Sequence, residues 1–216
     1  MAGEVLITPL PAASVIVLRD QPFEVLMLRR HEKSSFVPNA WVFPGGIAEP
    51  GDAETSLLDT MRITGIRETF EETGIWLGAP LADAERKRRE LLDGKIGFRE
   101  LLAEGPVDLT RLVWTSRWIT PHGIPKRFDT YFFLAVVSRD AIATAEQNEV
   151  VDVTWIDPAA ALAKHAAREM QMVFPTLRNL EAITGFASAA VLLDARRGAN
   201  IEAIEPVLVN GKPTLR

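Results

Sequence analysis

The stretch Arg67-Glu68-Thr69-Phe70-Glu71-Glu72-Thr73-Gly74-Ile75 constrains this chain more than any other. At roughly 100° per residue, a helix places Glu68, Glu71 and Glu72 within one arc of roughly 100°. Ile63, Ile66 and Phe70 then form a stripe on nearly the opposite side, which predicts that this face packs on a core. Gly74 stands where such a helix should stop. Like charges at Glu68 and Glu72 cost an isolated helix roughly 0.2–0.5 kcal/mol, and Arg67 is the local counter-charge. A cation seated over the three carboxylates would explain why they stand together.

Oxygen ligands in a chain without cysteine favour a hard divalent cation. Mg²⁺ usually takes one or two carboxylates and completes its shell with waters and substrate phosphates. The cluster therefore points to metal-assisted attack on a phosphate ester or anhydride. Taken alone, E-x-x-E-E also describes a solvated acidic helix face. Phe43-Pro44-Gly45-Gly46, just upstream, favours the first reading: it follows a strand-like approach, and glycine lets backbone come close to a ligand.

Gly46 and the segment from Arg67 to Ile75 together resemble the Nudix hydrolase signature, G-x5-E-x7-R-E-U-x-E-E-x-G-U, where U is a bulky aliphatic residue. Residues 47 to 66 separate Gly46 from Arg67, seven more than that pattern allows. Glu49, Asp52 and Glu54 compete for the early glutamate, and Thr69 stands where an aliphatic is usual. The resemblance implies an α/β fold, an α/β/α sandwich around a mixed β-sheet. It also implies Mg²⁺- or Mn²⁺-dependent hydrolysis of a nucleoside diphosphate linked to another group. Under it, Glu68, Glu71 and Glu72 are the metal ligands, joined by the backbone carbonyl of Gly45 or Gly46. Arg67 pairs with a carboxylate of the motif and orients it. A late glutamate that binds metal or acts as base falls on Glu149, with Glu146 competing and a plain surface residue as the alternative.

Leu26-Met27-Leu28-Arg29-Arg30, Ser35-Phe36-Val37-Pro38, Trp118-Ile119-Thr120-Pro121 and Arg127 to Phe133 are similar to a subgroup with a lengthened motif, as are Glu149 with Trp155 and Pro175-Thr176-Leu177. That subgroup includes the peroxisomal coenzyme A diphosphatase of animals. A separate coenzyme A signature, L-L-T-x-R-S/A, is half present in Leu26 and Leu28 with Arg29 or Arg30. The expected substrate is coenzyme A or an acyl-coenzyme A, with ADP-ribose, NADH or another nucleotide diphosphate as the alternative. A catalytically silent, nucleotide-binding regulatory domain is a further alternative, which would be marked by eroded glutamates.

Arg29, Arg30 and Lys33 are candidate phosphate contacts, because arginine forks match phosphate oxygens, and a solvated strand end is the alternative. Arg127, with His122, is a candidate for lining a nucleotide pocket, against a place on a loop surface. Trp41, Trp114, Trp118 and Trp155 are expected in the core.

One domain spanning 1–216 is expected, with strands at 13–18, 23–28, 111–119, 128–137 and 150–156. A helical insertion falls at about 81–105, its charged run ADAERKRRELL read as a solvated face. Asp157-Pro158 opens a helix, and 175–184 and 186–195 predict two more. A final strand spans 201–209, followed by an Asn210-Gly211 turn.

A net charge of −5 gives no general attraction to nucleic acid or to an anionic membrane. No apolar run approaches the length of a membrane span. The start MAGEVLITPLPAASVIVLRD does not look like a signal peptide, and Pro213-Thr214-Leu215-Arg216 does not match a peroxisomal address. The expected compartment is the cytoplasm, the expected partner a small nucleotide diphosphate, and a homodimer is left open.

Overall fold

The computed structural model describes residues 7–34 and 37–215; Ser35 and Phe36 of the subgroup resemblance, and the first six residues, lie outside it. The sheet is built on β1 (Leu10–Arg19), whose run of apolar residues is buried on both faces. It lies parallel to β6 (Phe128–Val136) along its whole length, from Leu10 opposite Phe128 to Leu18 opposite Val136. β5 (Val113–Ile119) pairs antiparallel with β6, and β2 (Glu24–Arg30) pairs antiparallel with the end of β1 and with β7 (Val150–Ile156). Two short strands matter most for function: β3 (Trp41–Val42) adds to β2, and β4 (Gly45–Ile47) lies antiparallel to the start of β1.

Period-two alternation divides the core. Ala13, Val15, Val17, Leu26 and Leu28 face α1 (Leu57–Thr73), while Ile16, Leu18, Val25 and Met27 face the opposite helices. Ile63, Ile66 and Phe70 of α1 are buried as their spacing predicts, and truncating Phe70 to alanine would cost about 3–5 kcal/mol. Ser56 caps α1 by accepting from the Asp59 amide at 3.0 Å, and Gly74 ends it in the left-handed region at φ 75°. Gly65 lets the helix approach the sheet closely: a Cβ there would lie 2.8 Å from Val15 Cγ2. A separate 3₁₀ turn at Pro50–Asp52 precedes the helix.

α2 (Ala84–Leu92) and α3 (Phe98–Glu104) are the helices of the segment at about 81–105. α2 departs from a purely solvated face, because Lys87 and Arg88 are buried, the first against Glu104. The other layer holds α4 (Pro158–Ala166), α5 (Phe174–Ile183) and α6 (Ala189–Arg196), with Asp157 Oδ1 accepting from the Ala160 amide at 2.9 Å as the α4 cap. The result is the α/β/α sandwich around a mixed sheet that the resemblance implies.

The tail departs from the expected single strand. Pro206 has no N–H to donate, so pairing stops after β8 (Ala203–Ile204), which lies parallel to β5. The chain then forms a separate hairpin, β9 (Val207–Val209) with β10 (Lys212–Thr214), turning at Asn210-Gly211. Among the described residues, no helix is long and apolar enough to cross a membrane.

Candidate active site

The two glycines of Phe43-Pro44-Gly45-Gly46 stand where no side chain fits. A Cβ on Gly45 would lie 2.3 Å from the Ala13 carbonyl oxygen, and one on Gly46 would lie 2.3 Å from Glu68 Oε1. β4 is thereby pressed between β1 and the acidic face of α1. The Gly45 N–H donates to Glu72 Oε2 at 2.9 Å, so this strand orients a carboxylate directly.

Arg67 is the hub of the cluster, with its side chain only 5% exposed. Nε donates to Asp52 Oδ1 at 3.0 Å, and Nη2 donates to Asp52 Oδ2 at 3.1 Å and to the Ile47 carbonyl at 2.9 Å. Nη1 donates to Glu71 Oε2 at 2.9 Å and stands 3.0 Å from Glu68 Oε1. The fork onto Asp52 is bidentate, the strongest arrangement open to an arginine. Asp52 also accepts from Thr64 Oγ1 and from the Glu49 amide, each at 2.9 Å, and is fully buried. Among the three candidates for the early acidic position, Asp52 is therefore the one that Arg67 grips, while Glu49 stands 3.9 Å from Nη1. It stands six positions after Gly46, where G-x5-E puts its glutamate, so the seven extra residues fall between Asp52 and Arg67. Thr69, in place of an aliphatic, is buried and satisfies its hydroxyl on the Gly65 carbonyl at 2.7 Å.

Burial and mutual repulsion set the electrostatics. Burial pushes the Glu68 carboxyl up to about 7, against the pull of Arg67. Glu71 is raised by the same cause, and Glu72 well above the usual carboxylate range by burial and then by Glu68. Arg67 serves Asp52, Glu68 and Glu71, while Glu72 receives one backbone N–H and the longer-range field of Arg30. Two buried carboxylates short of positive charge suit a hard divalent cation. Among the described residues, no group of three or more acidic, His or Cys side chains forms a ready-made cage. The fit thus lies in the chemistry of the donors, carboxylate oxygens that suit a hard divalent cation whose shell other oxygen ligands would complete. Arg88 of α2 reaches the end of the same helix, donating from Nε and Nη2 to the Glu71 carbonyl at 2.9 and 2.8 Å.

Glu68, Glu71 and Glu72 open into a cleft of about 1140 Å³, which Arg30, Glu146 and Glu149 also line. The two late glutamates differ. Glu146 Oε1 accepts from the backbone N–H groups of Asn148, Glu149 and Val150, and Oε2 from Asn148 Nδ2, so its carboxylate is committed to shaping the loop. The Glu149 carboxylate has no such partner among the described residues and faces the field of Glu68 and Glu72, while its carbonyl accepts from the His31 amide at 2.8 Å.

The basic candidates separate. Arg30 shares the face of Leu26 and Leu28, lines the cleft, and pairs with no carboxylate among the described residues. Arg29 points the other way, 3.7 Å from Asp152, and Lys33 is exposed away from the cleft lining. Arg127 is not a cleft residue at all. Its guanidinium is 5% exposed and fully engaged, with Nε on the Thr120 carbonyl and Nη1 on the Ile7 carbonyl, each at 2.9 Å, and Nη2 on Glu205. Such a buried clamp ties the chain together and keeps the guanidinium out of the cleft lining. His122 Nε2 lies 3.2 Å from the same Glu205. Of the tryptophans, Trp118 is buried and also lines the cleft, while Trp114 stacks on Tyr131 at 5.5 Å.

The sequence matches the family model for the NUDT19 Nudix domain over residues 57–183 and that for the NUDIX domain over residues 8–93. The chain belongs to the Nudix family. It is 30% identical to "Putative nudix hydrolase 7" of Caenorhabditis elegans over 78% of this chain and 58% of that protein. It is 26% identical to "Acyl-coenzyme A diphosphatase NUDT19" of Xenopus laevis over 76% of this chain and 60% of that protein. The chain thus spans about three fifths of the length of these curated relatives. The crystal structure of a NUDIX hydrolase from Alicyclobacillus acidocaldarius superposes with a TM-score of 0.79 at 26% identity, covering 88% of this chain and 97% of that one.

Proposed function

We propose that this chain is a diphosphatase that uses Mg²⁺ or Mn²⁺ to hydrolyse a nucleoside diphosphate linked to another group, with coenzyme A or an acyl-coenzyme A as substrate. The observation that carries the reading is the convergence of Glu68, Glu72, Glu149 and the unpaired Arg30 on one cleft beside the Gly45-Gly46 backbone. The similarity to acyl-coenzyme A diphosphatases supports the choice of substrate.

Glu68 and Glu72 would hold the cation, and the carbonyl of Gly45 is the backbone donor proposed beside them. When bound, the ion supplies Lewis-acid polarisation of the diphosphate and a lower pKa for water. Arg67 and Asp52 fix the helix face, and the Gly45 N–H fixes the Glu72 carboxylate. Arg30 offers its fork to a phosphate oxygen. Glu149 takes a proton from the water whose oxygen attacks phosphorus, as the anhydride P–O bond breaks. Two phosphate monoesters leave, adenosine 3′,5′-bisphosphate and a 4′-phosphopantetheine product.

The test compares kcat/KM for coenzyme A, dephospho-coenzyme A, ADP-ribose and NADH, with Mg²⁺, with Mn²⁺ and with chelator. Coenzyme A should lead, dephospho-coenzyme A should be poorer, and chelator should abolish turnover. A clear preference for ADP-ribose or NADH would overturn the substrate and leave the diphosphatase chemistry standing. No turnover on any of them, with tight nucleotide binding, would favour a regulatory domain, a reading that the intact glutamates oppose.

A further inference from the structure

The carboxylates occupy only one end of the cleft. The other end is walled by Ile124, by Phe174 and Pro175 at the start of α5, and by Pro206, Leu208 and Pro213 of the C-terminal segment. These wall residues are apolar, and the segment from 203 to 214 lies beyond the residues matched by either family model. Its attachment is specific. β8 pairs with β5, and Glu205 is gripped by Arg127 and by His122 Nε2, with Arg127 anchored in turn on two backbone carbonyls. Leu208 also packs beside Gly123, where a Cβ would lie 3.6 Å from Leu208 Cδ1.

A diphosphate with its cation needs only part of about 1140 Å³, a volume at the upper end for ligand sites. The remainder carries these apolar residues together with Lys126, Thr120, Thr130 and Thr176, and it belongs to the same cleft as the carboxylates, so its occupant is attached to the group being cut. We propose that the C-terminal hairpin, latched through Glu205 to Arg127 and His122, forms the wall that receives the apolar arm of the substrate, and that Leu208 sets the preference for long acyl chains. Arg127 is a positioning residue in this scheme, acting on substrate through Glu205 and the hairpin. The proposal rests on the diphosphatase reading above.

The test measures kcat/KM for coenzyme A and for acyl-coenzymes A of increasing chain length. In the wild type, the value should rise with chain length. Leu208→Ser, on a half-buried hairpin residue, should lower it at least tenfold for the long chains and less than twofold for free coenzyme A. Glu205→Gln, which keeps shape and removes the latch charge, should shift the same ratio by a smaller factor, with the circular dichroism spectrum unchanged. Equal losses on all substrates, or no dependence on chain length, would overturn the inference while leaving the diphosphatase intact. If ADP-ribose is cut and coenzyme A is not, the substrate reading fails, and alkyl esters of ADP decide the wall. Inhibition that strengthens with alkyl length and weakens in Leu208→Ser supports it, and inhibition indifferent to length overturns it.

Discussion

The carboxylate end of the cleft and its apolar end are built from different materials. Glu68 and Glu72 stand on a 17-residue helix whose opposite face is buried, and they are held by Arg67, Asp52 and a strand that begins with two close-packed glycines. The apolar end is assembled from loop ends, the first turn of α5 and a hairpin outside the main sheet, held by one ionic latch. Under the proposed reading, the carboxylates that would hold the cation stand on regular structure, where position follows from the core, and only the base, Glu149, comes from a loop beside it. Groups that would grip an apolar arm act through area, which tolerates displacement. Chemistry should thus be sensitive to single atoms at one end and selectivity to bulk at the other.

The sharpest way to break that contrast is Glu72→Gln, which removes one charge and keeps the shape. We expect turnover to fall by about three orders of magnitude or more at saturating Mg²⁺. Thermal stability in chelator should hold or rise, because repulsion with Glu68 is relieved. Near-normal turnover would remove Glu72 from the metal site.

Next comes the loop. Glu149→Gln should cost about a hundredfold in kcat with little change in melting temperature, because its carboxylate supports no backbone. Glu146→Gln should loosen the 146–150 turn and cost turnover less. Equal, wild-type-like rates would make this loop a bystander.

The rigid end should also carry a pH signature when metal is absent. The Glu68 carboxyl sits at about 7 when folded, against 4.5 as a free group. Between those values the folded chain binds more protons than the unfolded one, so this contribution to stability is full below about pH 4.5 and is lost as pH rises through about 7. Unfolding in urea with chelator, wild type against Glu68→Gln, should show a difference that changes in that direction, by about 3 kcal/mol at most. A difference that is flat or of opposite slope would show that burial does not hold this carboxyl toward its protonated form.

The smallest expected effect separates neighbours on one strand. Arg30→Ala should lower kcat/KM about tenfold, the value of one charge-assisted bond to phosphate. Arg29→Ala and Lys33→Ala should each change it less than twofold. Equal effects of Arg29 and Arg30 would mean that the strand face does not decide the contact.

What was legible in the sequence follows the same division. The glutamate helix, its buried stripe, its Gly74 stop and the Asp157 cap were readable because helical period and capping chemistry act within a few residues. Asp52 was readable in principle from its offset to Gly46, but the seven added residues hid it among three acidic candidates. Arg127 was misassigned because its role depends on Glu205, far along the chain, and no local pattern joins them. Adjacent residues on a strand point to opposite faces, and that separates Arg30 from Arg29. The orientation of the strand had to be known before the rule could be applied.

The contact from Arg88 to the Glu71 carbonyl has a consequence for the cation. Glu68, Glu71 and Glu72 occupy the last turns of α1, where aligned peptide dipoles leave roughly half a negative charge. That field adds to the three carboxylates and would deepen the well for a divalent ion. A guanidinium placed on the terminal carbonyl cancels part of it. Arg88 of α2 therefore lowers the pull that this helix end would exert on a divalent ion, without supplying or removing a ligand.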